Sequence, residues 1–215
     1  MKDYNIWTFT DASIARNKFY RSDVGVYGFA HLSPDMNSRN LFPWAAGFQA
    51  INGFDINILE YAAMYLALLD IRRMSNNSSF IIVTDSDVTY DRMRDAIVSY
   101  NGGPRKRWME TYNNRNALMF NIVDLYLNLL NQGYQIDLDL VKSHATYKEQ
   151  RIHLFQRHGN FPENEYTRNV NVGNSYVDYY MSNIACNRNI RVMEQYGNDS
   201  MLKVLHSGYT LDWIR

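Results

Sequence analysis

Two strand-like stretches end in the same way. "IWTFTDAS" (6–13) alternates like a half-buried strand and stops at Asp11, and the apolar run of "FIIVTDSD" (80–87) stops at Asp85. Both read Thr-Asp followed by a small residue. An aspartate opens turns by capping the next backbone N–H groups, which explains one such ending better than two. Two further acids belong to helical patterns, Glu60 in "NILEYAAMYLALLDIRRM" (57–74) and Asp178 in "NSYVDYYMSNIACN" (174–187). Each has a plain alternative: Glu60 closing a capping box with Asn57, and Asp178 facing solvent. Taken jointly, three or four converging carboxylates repel strongly and stay ionised only with cations between them. All-oxygen ligands suit Mg²⁺ or Mn²⁺ rather than Zn²⁺. Two such ions about 4 Å apart serve the in-line attack of water on a phosphodiester.

The elements that carry these acids follow from periodicity. Residues 4–10, 24–32 and 44–51 read as three strands whose short connections favour an antiparallel meander. A helix over 57–74 repeats Leu59, Ala62, Ala63, Leu66 and Leu69 at three- and four-residue spacing, with Asn57 as a cap. A strand at 80–84 and a helix through "YDRMRDAIVSY" follow, the helix ending at Gly102-Gly103-Pro104. A second long helix covers 116–133 and is closed by Gly133. "QIDLDLVKSH" alternates as a strand, and 174–187 places Val177, Met181 and Ile184 on one helix face. The expected order is βββαβααβα, which allows strands one and four to lie side by side.

Composition bounds the class. A chain of 215 residues with 46% hydrophobic residues supports one sizeable core. The longest apolar stretch, Tyr61 to Leu69, is too short for a membrane span, and "MKDYNIWTF" lacks a secretion signal. The lone Cys186, read as a core residue, allows no internal disulfide, so a reducing cytoplasm is expected. His153 and His158 with Cys186 match no zinc spacing. The net charge of zero excludes a generic polyanion binder and leaves nucleic-acid contact to local patches. "GGPRKRW" is one candidate, with Arg105, Lys106, Arg107 and Trp108 and with Arg92 and Arg94 upstream; the alternative is a solvated loop.

The pieces "FTDAS" followed by Asn17, "VYGFA", "AAGFQ", "NILEYAAMYLALL", "VTDS", "VKSHA" and "GNSYVD" occur in one order over residues 4–187. In that order the chain resembles ribonuclease H of type I, the bacterial-like enzymes that cut RNA in RNA–DNA hybrids. The resemblance implies a ribonuclease H-like α/β fold with a mixed five-stranded sheet flanked by helices. It implies two Mg²⁺ ions held by Asp11, Glu60, Asp85 and Asp178. His144 matches a loop histidine that assists proton transfer or product departure, and Asn174 matches an asparagine one turn before the last aspartate. Asn17 and Asn57 align with positions that contact the RNA strand, and 105–108 lies where relatives carry a basic handle. An RNA–DNA hybrid is the implied partner, with no obligate protein partner evident.

The sequence departs from that family in two places. Asp87 replaces a frequent glutamine after "TDS" and adds negative charge along the RNA path. The connection from His144 to Asp178 is far longer than the usual short loop, and "FPENE" (161–165) imitates the family's segment at the wrong spacing. Residues 1–190 are therefore expected to form one domain with an insertion at 145–172, and 191–215 a C-terminal extension packed on it. The insertion mixes Lys148, Arg151, Arg157 and Arg168 with Tyr147, Phe155, Phe161 and Tyr166, which suits either a substrate-gripping lid or a packed surface segment. Competing functions are a DNA nuclease or junction resolvase on the same scaffold, and a catalytically silent nucleic-acid-binding module. Retention of the four acids argues against silence.

Overall fold

The apolar alternation of the N-terminal third folds as three long strands, β1 (Ile6–Asn17), β2 (Ser22–Pro34) and β3 (Leu41–Asn52). The computed structural model describes residues 4–35, 40–52, 55–111, 113–193 and 208–214. Helix α1 (Ile56–Ile71), strand β4 (Ser79–Thr84), helix α2 (Asp87–Tyr100) and a 3₁₀ turn (Arg107–Glu110) follow. Then come α3 (Asn114–Asn131), β5 (Gln135–Leu140), α4 (Tyr147–His158), α5 (Asn164–Cys186) and β6 (Thr210–Trp213). The sheet order is β5-β4-β1-β2-β3-β6. The first three strands form the expected antiparallel meander, whereas β1–β4 and β4–β5 are parallel.

Alternating side chains feed two cores. On one face Phe80, Ile82 and Ile136 pack against α1, α2 and α3; on the other Trp7, Phe9, Ile81 and Val83 pack against α4 and α5. Helix α1 is buried almost continuously from Leu59 to Leu68, because it lies between the sheet and the α2/α3 pair. A helix apolar on every side is stable only in such a place.

The observed architecture corrects several expectations. Among the described residues the sheet has six strands, not five: β6 adds antiparallel to β3, pairing Ala45 with Trp213 and Phe48 with Thr210. Its approach is fixed through α1, where Tyr209 Oη donates to the buried Asp70. Asp70 also meets His31 Nε2 at 3.0 Å, and His31 Nδ1 meets Thr8 Oγ1 at 2.9 Å, so a chain of buried polar groups is satisfied. The N-cap of α1 is Asp55, whose side chain accepts from Asn57 N at 2.8 Å, and not Asn57. Cys186 is exposed rather than buried, since Met181 and Ala185 take the inward face at the end of α5.

The 145–172 segment contains α4 and the beginning of α5. Thr146 and Glu149 form a capping box at the start of α4, and Gly159, with φ of 74°, closes it. Helix α5 begins at Asn164, a full ten residues before the start expected from sequence. Leu154 and Gln150 are buried beneath α4, and Gln150 Oε1 accepts from Lys142 N at 3.1 Å. The buried Asp139 of β5 accepts from Tyr166 Oη at 2.5 Å and meets His158 Nε2 at 3.2 Å. That hydrogen bond holds the His158 imidazole above its usual pKa. The segment thus comprises α4, docked through Gln150 and Leu154, a connection over 159–163, and the beginning of α5.

Candidate active site

The parallel register of β1 and β4 builds the site. Thr10 lies opposite Thr84, so Asp11 and Asp85, the next residues, leave the paired region side by side. Ser86 then turns the chain into α2 by capping Thr89 N at 3.3 Å. Glu60 enters from the first turns of α1. One carboxylate oxygen from each of Asp11, Glu60 and Asp85 lies within 4.8 Å of the others.

Among the described residues no lysine or arginine lines the cleft that holds the triad. Asp11 Oδ2 and Glu60 Oε2 are buried without a hydrogen-bond partner. Burial, then the charges of Asp85 and Asp178, push the Asp11 carboxyl up to about 8, against a hydrogen bond from Ala12 N–H. Glu60 is raised well above the usual carboxylate range by burial first and then by Asp11 and Asp85. Orphaned, mutually repelling carboxylate oxygens at this spacing are a donor set that a divalent cation satisfies.

Helix α5 supplies the remaining wall. Gly173 lets it approach: a Cβ there would sit 2.1 Å from the Phe9 ring. Next to it, the buried Asn174 donates from Nδ2 to Asp85 Oδ2 at 3.1 Å, while its Oδ1 is buried without a partner. Asp178, one turn further, lines the same cleft outside the close triad, with its Oδ2 3.3 Å from His144 Nδ1. His144 is exposed, in the left-handed region at φ 48°.

The cleft is about 620 Å³ and is also lined by Asn57, Asp87, Ser13 and Ser182. Asn57 Nδ2 donates to Asp55 at 3.1 Å. Ser182 was not anticipated; it lies one turn beyond Asp178, a spacing that could have revealed it, and its Oγ is 3.4 Å from Ser13 Oγ. Asn17 is not brought to the cleft. Its carboxamide donates to the carbonyls of Ala185 and Asn187 and accepts from Phe19 N and Tyr20 N, tying the end of β1 to the end of α5. Arg105, Lys106 and Arg107 are exposed and lie outside the cleft lining. Trp108 turns inward, stacked on Phe120 at 5.8 Å with the Arg92 guanidinium 5.1 Å from its ring.

A sheet in which the central β1 is flanked by antiparallel β2 and parallel β4, with β3 and β5 outside them, places the acids at the end of β1's pairing with β4. That sheet order matches the ribonuclease H-like α/β fold expected from the sequence. No protein-family model and no curated protein sequence matches the chain. Among solved structures, LC9-RNase H1, a type 1 RNase H with the type 2 active-site motif, is similar at 13% identity and a TM-score of 0.48, covering 90% of this chain and 88% of that one. RNase H1 from the halophilic archaeon Halobacterium salinarum NRC-1 is similar at 15% identity and a TM-score of 0.43, over 64% and 86%. The PFV RNase H domain is similar at 13% and a TM-score of 0.46, over 73% and 92%. Relative to the five strands expected from sequence, the sheet carries β6 outside β3.

Proposed function

We propose that the protein is a Mg²⁺-dependent endonuclease that hydrolyses the RNA strand of RNA–DNA hybrids. The observation that carries this reading is the Asp11–Glu60–Asp85 group, in which Asp11 and Glu60 are buried and each keeps one orphaned carboxylate oxygen. Asp11, Glu60 and Asp85 would hold one ion, and Asp11 with Asp178 a second; Mn²⁺ has the same ligand preference. Bound ions of this kind neutralise the scissile phosphate and lower the pKa of the attacking water.

The chain's own groups do the rest. Asn174 holds Asp85 in orientation through its Nδ2 hydrogen bond. His144, exposed and beside Asp178, would deliver a proton to the departing 3′ oxygen or assist product departure. Asn57, on the cleft wall, offers a carboxamide to a ribose 2′-hydroxyl, the group that marks RNA. The exposed Arg105, Lys106 and Arg107 supply phosphate contact beyond the cleft.

The test is cleavage of labelled RNA–DNA hybrid, duplex DNA, duplex RNA and a branched junction in Mg²⁺, with wild-type protein and Asp85→Asn. Hybrid cleavage that requires Mg²⁺ and vanishes in the variant supports the proposal. Cleavage of the junction or duplex DNA alone would assign the same centre to a DNA nuclease. Binding without cleavage of any substrate would leave a nucleic-acid-binding module.

A further inference from the structure

The cleft lining contains five carboxylates, Asp11, Glu60, Asp85, Asp87 and Asp178, and no lysine or arginine among the described residues. A polyanion that enters it needs cationic contacts elsewhere. Helix α4 starts at Tyr147, shortly after His144 of the cleft wall, and offers one.

The helix has two different sides. Gln150 and Leu154 are buried, and Arg157 and His158 are held on the buried Asp139. Lys148, Arg151, Ile152 and Phe155 recur at three- and four-residue spacing on another side. Phe155 stacks on Phe161 with ring centroids 4.2 Å apart and planes 20° from parallel. The Arg151 guanidinium lies 5.0 Å from the Phe161 ring. Phe161 is 58% exposed and Phe155 38%. The neighbouring Glu149 is engaged by Lys142 and by the capping box, so it does not neutralise Lys148 or Arg151.

We propose that this stripe of α4, with Phe161, binds a single-stranded extension of the nucleic acid whose duplex occupies the cleft. The inference rests on the nuclease reading of that cleft. Paired bases keep their faces inside the duplex, so within a nucleic acid it is the unpaired bases that exposed ring and guanidinium planes can stack with. Lys148 and Arg151 meet the phosphates between those bases. An apolar protein partner would match the phenylalanines but leave both cations without a counterpart. Because the other side of α4 is tied to Asp139, the platform is rigid and pays little ordering entropy on binding.

The experiment compares a blunt RNA–DNA hybrid with the same hybrid carrying a single-stranded extension at either end, by fluorescence anisotropy in Ca²⁺. An extension at one end should tighten binding about tenfold, the worth of roughly one stacked base. Phe155→Ala combined with Phe161→Ala should remove that gain while leaving blunt-hybrid affinity and Mg²⁺-dependent cleavage unchanged. Phe155→Leu with Phe161→Leu keeps apolar bulk without planar rings and should lose the gain as well, at unchanged melting temperature. No gain at either end, or a gain that survives both double variants, overturns the inference even if blunt hybrid is cut normally. If blunt hybrid is neither bound nor cut, yet an isolated single strand binds in a Phe155- and Phe161-dependent manner, the nuclease reading falls and the α4 surface stands.

Discussion

Thr10 and Thr84 lie opposite each other in the parallel pairing of β1 and β4, and the residue after each is a carboxylate. Two rigid strands therefore hold Asp11 and Asp85 together whether or not a cation is bound. Asp11→Asn or Asp85→Asn should abolish hybrid cleavage and leave the fold intact. Since each change removes repulsion within the triad, the variants should melt at or above the wild-type temperature in EDTA. Wild-type cleavage by Asp85→Asn would show that the site lies elsewhere.

The same repulsion gives the metal-free protein a pH signature. Asp11 is raised to about 8 in the folded chain, above its unfolded value, so its stabilising contribution is complete at acidic pH. That contribution is lost as pH rises toward and through about 8, because the folded state must then release a proton that it binds more tightly than the unfolded chain does. Melting temperature in EDTA should fall over this range, and Asp11→Asn should flatten the curve. Saturating Mg²⁺ should also flatten or reverse it. A level EDTA profile in the wild type would mean that the carboxylates do not repel as argued.

Asn174 orients Asp85 rather than reacting itself. Asn174→Ala should cost about 10- to 100-fold in metal affinity or activity, the usual loss when a ligand's hydrogen-bond partner is removed. The change should appear chiefly as a higher Mg²⁺ concentration at half-maximal rate. An unshifted Mg²⁺ titration would assign the loss to packing of α5.

His144 stands apart from the triad at the exposed end of the cleft. A positioned proton carrier contributes about 10²- to 10⁴-fold and water replaces it in part, so His144→Ala should be slow but active. Complete loss with normal hybrid binding would make His144 a ligand or nucleophile instead.

At Gly173 α5 lies directly against the Phe9 ring of β1. A Cβ there overlaps the buried Phe9 ring, so Gly173→Ala should destabilise the protein by about 1–3 kcal/mol, as overpacked cores do. The helix that moves also carries Asn174 and Asp178, so cleavage should fall more than the stability loss alone predicts. Denaturant unfolding with unchanged midpoint would show that α5 has room the geometry does not indicate.

The sequence by itself determined the local patterns and, through them, most of the candidate site. Period-two alternation ending in Thr-Asp-small located Asp11, a continuous apolar run with the same ending located Asp85, and three- and four-residue spacing located the helices around Glu60 and Asp178, because one-sided burial imposes a period and two-sided burial an unbroken run. Helix α4 was missed since its pattern is weak: only Gln150 and Leu154 are buried along it, although its Thr146–Glu149 capping box was there to be read. The tertiary structure alone decided what depends on partners distant in the chain. Asn17 is spent on carbonyls at the end of α5, Trp108 packs on Phe120, and Cys186 rotates off the buried face of its helix. Strand β6 owes its place to the free edge of β3 and to Asp70 on α1, and nothing within the four residues of β6 specifies either. A short segment records its own periodicity, but not which surface another element, many residues away, will leave open for it.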